Sequence, residues 1–150
     1  MEEAIVFVAC QNEIPLVPES CKKYPIIVTG VGALNAIRFA VTIHPDTKII
    51  NVGYCGSKYF KKGTAVCVGK VCMKHKTPFD SPTLVLEENC PSVCYSSSDF
   101  EEFTSEDTDF AVYDMELAFI AAVHPNTIGI KTVSDKLNYK EYERFVKSHS

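Results

Sequence analysis

The sequence predicts an α/β domain organised in layers around a central sheet. Three observations lead there. Short runs rich in β-branched residues alternate along the chain with longer stretches of helical spacing. Most of the short runs are continuously apolar, the pattern of strands covered on both faces. Prolines and glycines stand at the boundaries between the two kinds of segment.

Taken in order, strands are expected at residues 4–9, 26–29, 48–52, 64–73, 92–95, 110–113 and 127–133. A first helix is expected at 33–43, where Leu34, Ile37 and Val41 fall on one face and Pro45 stops the run. A second is expected at 115–123, stopped by Pro125, and a third at 139–147, where Tyr142 and Phe145 keep helical spacing. Residues 14–25, with Pro15, Pro18 and Pro25, and residues 76–91, with Pro78, Pro82 and Pro91, read as loops inserted into one domain spanning 1–150. The acid-rich residues 99–109, after Ser96-Ser97-Ser98, read as a mobile surface segment.

Composition narrows the function classes. The chain has 150 residues, 46% of them hydrophobic and 11% aromatic, enough for one well-buried core and unlike disordered or collagen-like sequences. Fifteen basic against nineteen acidic residues give a net charge of −4, which argues against nucleic acid as a partner. No apolar stretch approaches the roughly 20 residues of a membrane-spanning helix. Met1-Glu2-Glu3 carries acid where a secretory leader carries base, so a cytoplasmic protein without a membrane partner is expected. Seven cysteines form an odd set without C-x-x-C or H-x-x-x-H spacing, which argues against zinc. They read as reduced thiols serving as small core side chains, as in Ala65-Val66-Cys67-Val68.

Three turns follow strands: Thr29-Gly30-Val31-Gly32, Asn51-Val52-Gly53-Tyr54-Cys55-Gly56, and the segment holding Glu13. In open α/β sheets such strand ends form the ligand crevice. The G-x-G lacks the third glycine of a dinucleotide fingerprint, and no G-K-[S/T] follows to make a phosphate loop. Four carboxylates at the edges of apolar runs, Glu13, Asp114, Glu116 and Asp135, carry more information, because a charge there must be paired, solvated or functional. Each alone reads as a helix cap or turn acid. Function depends on whether they converge.

The segments Thr29-Gly30-Val31-Gly32-Ala33-Leu34-Asn35-Ala36, Ile50-Asn51-Val52-Gly53-Tyr54-Cys55-Gly56, Lys62-Gly63-Thr64, Tyr113-Asp114-Met115-Glu116-Leu117-Ala118 and Val133-Ser134-Asp135 resemble, in this order, the motifs of the purine nucleoside phosphorylase and 5′-methylthioadenosine/S-adenosylhomocysteine nucleosidase superfamily. The resemblance implies a three-layer fold with a central mixed, twisted sheet flanked by helices. It also implies a small-molecule nucleoside substrate, cleavage of the N-glycosidic bond, no cofactor and a homo-oligomer. By the same resemblance Asp135 protonates or hydrogen-bonds N7 of the purine, with Ser134 beside it and Phe100 (or Phe103) stacked on the base. Glu116 accepts from the ribose hydroxyls, Met115 packs on the ribose, and Glu13 is the general base toward water. Lys131 and Tyr54 position water or an anion, while Gly30, Gly32 and Gly53 shape the backbone turns. Asp114 is expected to be structural.

The chain departs from the family pattern at several points. Lys131 stands where nucleosidases carry an arginine, Tyr54 replaces a small residue, and Ser97-Ser98-Asp99-Phe100 is one residue shorter than the family's S-G-D-x-F loop. Material is missing between Glu13 and Ile26, around residues 74–91 and in the last helix, so the domain is truncated relative to typical members and a wide pocket is expected. The phosphate-binding arginine of the phosphorylases is absent, since the only arginines are Arg38 and Arg144. Phosphate favours arginine forks or backbone nests, so hydrolysis is expected over phosphorolysis. A phosphorylase using Lys131 and backbone amides, and a non-catalytic nucleoside binder, remain the alternatives.

Overall fold

The structure, a computed structural model, describes residues 3–73, 83–97 and 110–149. Phe100 and Phe103 lie outside the described residues, as does all of the acid-rich segment expected to be mobile. Nine strands and three α-helices follow the expected alternation: β1 (Ala4–Val8), β2 (Ile26–Val28), α1 (Ala33–Ala40), β3 (Lys48–Gly56), β4 (Ala65–Cys67), β5 (Lys70–Met73), β6 (Leu84–Val85), β7 (Val93–Ser96), β8 (Ala111–Asp114), α2 (Leu117–Val123), β9 (Thr127–Asp135) and α3 (Tyr139–His149). No helix among the described residues is long and apolar enough to cross a membrane.

The sheet is mixed and curled, with β3 at its centre. β3 runs parallel to β1 on one side and to β9 on the other, and its last residue, Gly56, meets Tyr113 of β8 in antiparallel register. From β8 the sheet continues through β7 and β5 to β6, while β2 flanks β1 at the other end. β4 pairs with β9, and β5, three residues further on, pairs with β7, so one short stretch of chain joins the two ends of the curl.

Each face has its own apolar cover. α1 and α2 pack on Phe7 and Ile49 through Ala36, Ala40 and Ile120. On the opposite side of the same strands, Val17, just after one 3₁₀ turn (Gln11–Leu16), and Cys21, ending another (Glu19–Cys21), cover Val6, Val8, Ile50 and Val52. Inside the curl, Val66, Val71, Cys94, Val112 and Val133 pack with Leu117 and Ala118 of α2.

Several expectations need correction. β3 continues through Gly56 instead of ending at residue 52, because β9 pairs with it as far as its last residue. The stretch 64–73 is two strands, broken at Val68-Gly69 where the chain leaves β9 for β7. The loop expected at 76–91 contains β6, hydrogen-bonded to β5. In α1 the face marked by Leu34 and Val41 is exposed, at 80% and 61%, and the helix packs instead through Ala36 and Ala40, whose small side chains let it lie close to the sheet. Cys67 is exposed, whereas Cys21, Cys55 and Cys94 are core residues as expected.

Candidate active site

A cavity of about 290 Å³ opens where the C-terminal ends of β1, β3, β8 and β9 meet. Glu13, Tyr54, Met115, Glu116, Ser134 and Asp135 all line it. The elements that bring them there leave little freedom at each carboxylate.

The 3₁₀ turn at Gln11–Leu16 folds Glu13 back over the end of β1, where Oε1 accepts from the Ala9 N–H at 2.7 Å and Oε2 from the Tyr54 N–H at 2.8 Å. Glu13 is buried directly over Gly53, and a Cβ at that position would stand 2.5 Å from Oε2. Only glycine leaves room for the carboxylate. Burial pushes the Glu13 pKa up, opposed by the nearby Lys131 charge and by the amides of Tyr54 and Ala9.

Glu116 stands just ahead of α2 and reaches across to the first glycine turn, where Oε2 accepts from the Gly32 N–H at 2.8 Å. That turn holds Gly30 and Gly32 at φ +94° and +100°, a region that side-chain-bearing residues rarely enter. Burial, and then the neighbouring Asp114 and Glu13 carboxylates, push the Glu116 pKa up to about 7, against Lys131 and the Gly32 amide. Met115 lies between Asp114 and Glu116 and shares the cavity wall.

Asp135 ends β9 and anchors the approach to α3. Its Oδ1 accepts from the Ser134 hydroxyl at 2.6 Å, and its Oδ2 from the N–H groups of Leu137 and Asn138 at 2.9 and 3.1 Å. Gly56 lies against it, since a Cβ there would come within 2.9 Å of Oδ2 and 2.7 Å of Leu137 Cδ2. Burial raises the Asp135 pKa, opposed by these three donors.

Lys131 takes a different place from the one expected. It is 1% exposed, does not line the cavity, and puts its Nζ 3.0 Å from Asp114 Oδ2 and 2.6 Å from Asn51 Oδ1. Asp114 also accepts from the Ser96 hydroxyl and, at 2.9 Å, from the Leu117 N–H at the start of α2. Burial alone would raise Asp114, but Lys131, Ser96 and the Leu117 amide outweigh it and hold its pKa below the usual carboxylate value. Desolvation would lower Lys131, but the charges of Asp114, Glu116 and Glu13 outweigh it and hold its pKa above the usual lysine value. The ammonium therefore forms a charged layer beneath the cavity. Sequence reading assigned no role to Asn51 or Ser96, although a polar Asn51 inside the apolar run of β3 was the available signal.

Tyr54 lines the cavity and stands edge-on to Tyr142 and Phe145 of α3, with ring centroids 6.0 Å apart in both pairs. Its hydroxyl is buried and has no hydrogen-bond partner among the described residues. Cys10, Tyr139 and Tyr142 complete this side of the cavity, a contribution that sequence reading missed because helical spacing marks Tyr142 only as a packing residue.

No family model and no curated protein sequence matches the chain. Solved structures do. A 5′-methylthioadenosine/S-adenosylhomocysteine nucleosidase of Helicobacter pylori, a mutant holding 5′-methylthioadenosine in its active site, superposes with a TM-score of 0.77 at 13% identity, covering 99% of this chain and 93% of that one. The futalosine hydrolase of the same organism gives 0.75 at 14% identity over 99% and 92%. The nucleosidase of Neisseria meningitidis in complex with methylthio-immucillin-A gives 0.75 at 16% identity over 99% and 94%. The chain has the fold of these enzymes. In this fold the curled mixed sheet and the flanking helices expected from the motif order are all present, from β1 to α3. The cavity, as the described residues bound it, is at the small end of ligand pockets, which run from roughly 300 to 1,000 Å³.

Proposed function

We propose that this chain is a nucleosidase that hydrolyses the N-glycosidic bond of a purine or purine-like nucleoside to free base and sugar. The observation that carries the reading is the convergence of Glu13, Glu116 and Asp135 on one cavity, with Met115 in its wall. The nucleosidase fold supports it independently.

The chemistry assigns a task to each group. Breaking the bond to the purine leaves the electron pair on the base and an oxocarbenium-like ribosyl group behind. Asp135, its pKa raised by burial, supplies a proton at N7 of the departing purine, with Ser134 fixing one of its oxygens. Glu116 holds the ribose hydroxyls, and in its ionised form opposes the positive charge that develops on the sugar. Water attacks the anomeric carbon, and Glu13 takes its proton. Lys131 acts through space from beneath: its charge favours the ionised form of Glu13 and Glu116 without touching substrate. Tyr54 positions water with its backbone, since its N–H holds Glu13, while its ring narrows the cavity.

Hydrolysis is preferred to phosphorolysis because the described lining residues include no arginine or lysine and the buried Lys131 is committed to Asp114. Incubation with adenosine, 5′-methylthioadenosine, S-adenosylhomocysteine and inosine, with and without phosphate, is expected to release base equally in both conditions and to yield free sugar. A strict phosphate requirement with sugar 1-phosphate as product would overturn the hydrolase reading. Failure to release base from any nucleoside that binds would leave a binding protein.

The pH profile of kcat/KM gives a second test. Glu116 ionises as pH rises through about 7, so a rising limb is expected in the neutral range, and loss of the Asp135 proton, whose pKa burial raises, contributes a falling limb. Glu116→Gln should remove the rising limb and Asp135→Asn the falling one. Limbs unchanged in both variants would remove these residues from the reaction.

A further inference from the structure

Leu137, just beyond Asp135, stands at φ +66°, in the left-handed region that a side-chain-bearing residue enters only at a cost. It is buried and packs with Ala111 and Tyr113, so its surroundings must hold the strained turn in place. Asn138 caps α3, its Oδ1 accepting from the Glu141 N–H and its carbonyl from the Tyr142 N–H, both at 3.0 Å. In an ordinary capping box the glutamate three residues into the helix turns back to the N–H of the capping residue. Glu141 reaches past it: Oε1 accepts from the Lys136 N–H at 2.5 Å, and the Leu137 and Asn138 N–H groups go to Asp135 Oδ2. Three consecutive amides are thus divided between two carboxylates, one partly exposed and one buried. The loop after β3 grips the same turn. Lys62 Nζ lies 3.0 Å from Glu141 Oε2, Lys136 Nζ donates to the Phe60 carbonyl at 2.6 Å, and the Ser57 N–H donates to the Asp135 carbonyl at 3.0 Å.

We infer that Glu141 is a positioning residue for Asp135: by taking the Lys136 amide it holds the Leu137 turn in the shape that presents two N–H groups to Asp135 Oδ2. The inference rests on Asp135 being the acid of the proposed reaction. Glu141 is not among the residues that line the cavity, so it acts through the turn and not on substrate. With Oδ2 bound by two amides and Oδ1 by the Ser134 hydroxyl, the Asp135 carboxyl cannot rotate without giving up bonds. Release of the turn frees it. A catalytic group displaced by about 1 Å can lose roughly 10²-fold in rate, and a donor needed only in the transition state shows its loss in kcat.

The test is a cycle of Glu141→Ala, Asp135→Asn and the double variant, with kcat and KM measured on the nucleoside that the unaltered protein cleaves fastest. Glu141→Ala is expected to lower kcat by roughly 10–10²-fold with KM little changed, and to have no further effect once Asp135→Asn is present. Glu141→Gln should restore most of the rate, because its amide oxygen still accepts from the Lys136 N–H. Lys62→Met, which loosens the same carboxylate from the loop, should give a smaller loss, again in kcat. Amide hydrogen exchange supplies a readout independent of turnover: the Leu137 and Asn138 N–H groups should exchange faster in Glu141→Ala than in Glu141→Gln, while β3 and β9 keep their protection. Losses that multiply in the double variant would make Glu141 a general stabiliser and overturn the inference, as would unchanged exchange at both amides. A large loss in Asp135→Asn with none in Glu141→Ala would sink the inference alone. An Asp135→Asn variant with full activity would remove the acid, and the positioning role with it.

Discussion

Glu13→Gln is expected to lower kcat/KM for nucleoside hydrolysis by roughly 10²–10⁴-fold, the range for a positioned general base. The substitution keeps shape and removes the charge and basicity. Because both carboxylate oxygens accept backbone N–H groups, from Ala9 and Tyr54, the glutamine amide must turn its NH₂ toward one of those donors. One N–H is then left unsatisfied, at a cost of about 1–3 kcal/mol in stability. Steady-state kinetics and urea unfolding on the same preparation separate the two effects. The loss should be similar for every nucleoside cleaved, since activating water does not depend on the leaving group, whereas Asp135→Asn should hurt poor leaving groups most. Retention of near-full activity by Glu13→Gln would remove it from the reaction.

Lys131→Met is expected to give the largest loss of stability, about 3–5 kcal/mol, because it leaves the buried Asp114 carboxylate without its counter-charge. The same change removes the cation that opposes the upward pressure on Glu13 and Glu116, so the rising limb of kcat/KM should move to higher pH. Adding Asp114→Asn to Lys131→Met should recover part of the stability, since the amide can be buried at lower cost than an unpaired carboxylate. Urea denaturation of the two single variants and the double variant measures the coupling. A single-variant loss within about 0.5 kcal/mol, the range of ordinary surface substitutions, would show that the pair carries little.

Much of this molecule was legible in its residues. Apolar runs located every strand but β6, with β4 and β5 read as one, and the order of five short motifs implied a fold that the solved structures then displayed. Glu13, Glu116 and Asp135 could be singled out because carboxylates at the ends of apolar runs have few inexpensive environments. What the sequence did not reveal depends on partners distant along the chain. The extension of β3 through two glycines makes sense only once Glu13 and Asp135 are seen in the space their side chains would fill. The use of Ala36 and Ala40 rather than Leu34 as the buried face of α1 reflects how closely that helix approaches the sheet, a distance no periodicity encodes. The burial of Lys131 was hidden for the same reason: Asp114, its partner, lies on another strand and reaches it only through the tertiary fold.

The position of β9 bears on how the chain must be made. Among the described residues it is the last strand, yet it lies between β3 and β4, both of which precede it by many residues. While the polypeptide leaves the ribosome, residues 49–56 of β3 keep an open edge, and Asp114 has no lysine beside it until β9 arrives. An unpaired strand edge invites pairing with other chains, and an isolated buried carboxylate resists collapse around it. Folding is therefore deferred until residues 127–135 have been made, with non-local strand pairing as its slow step. The same event that seals the sheet delivers Ser134 and Asp135 to the cavity, so a chain stalled before residue 127 lacks both a finished core and a site.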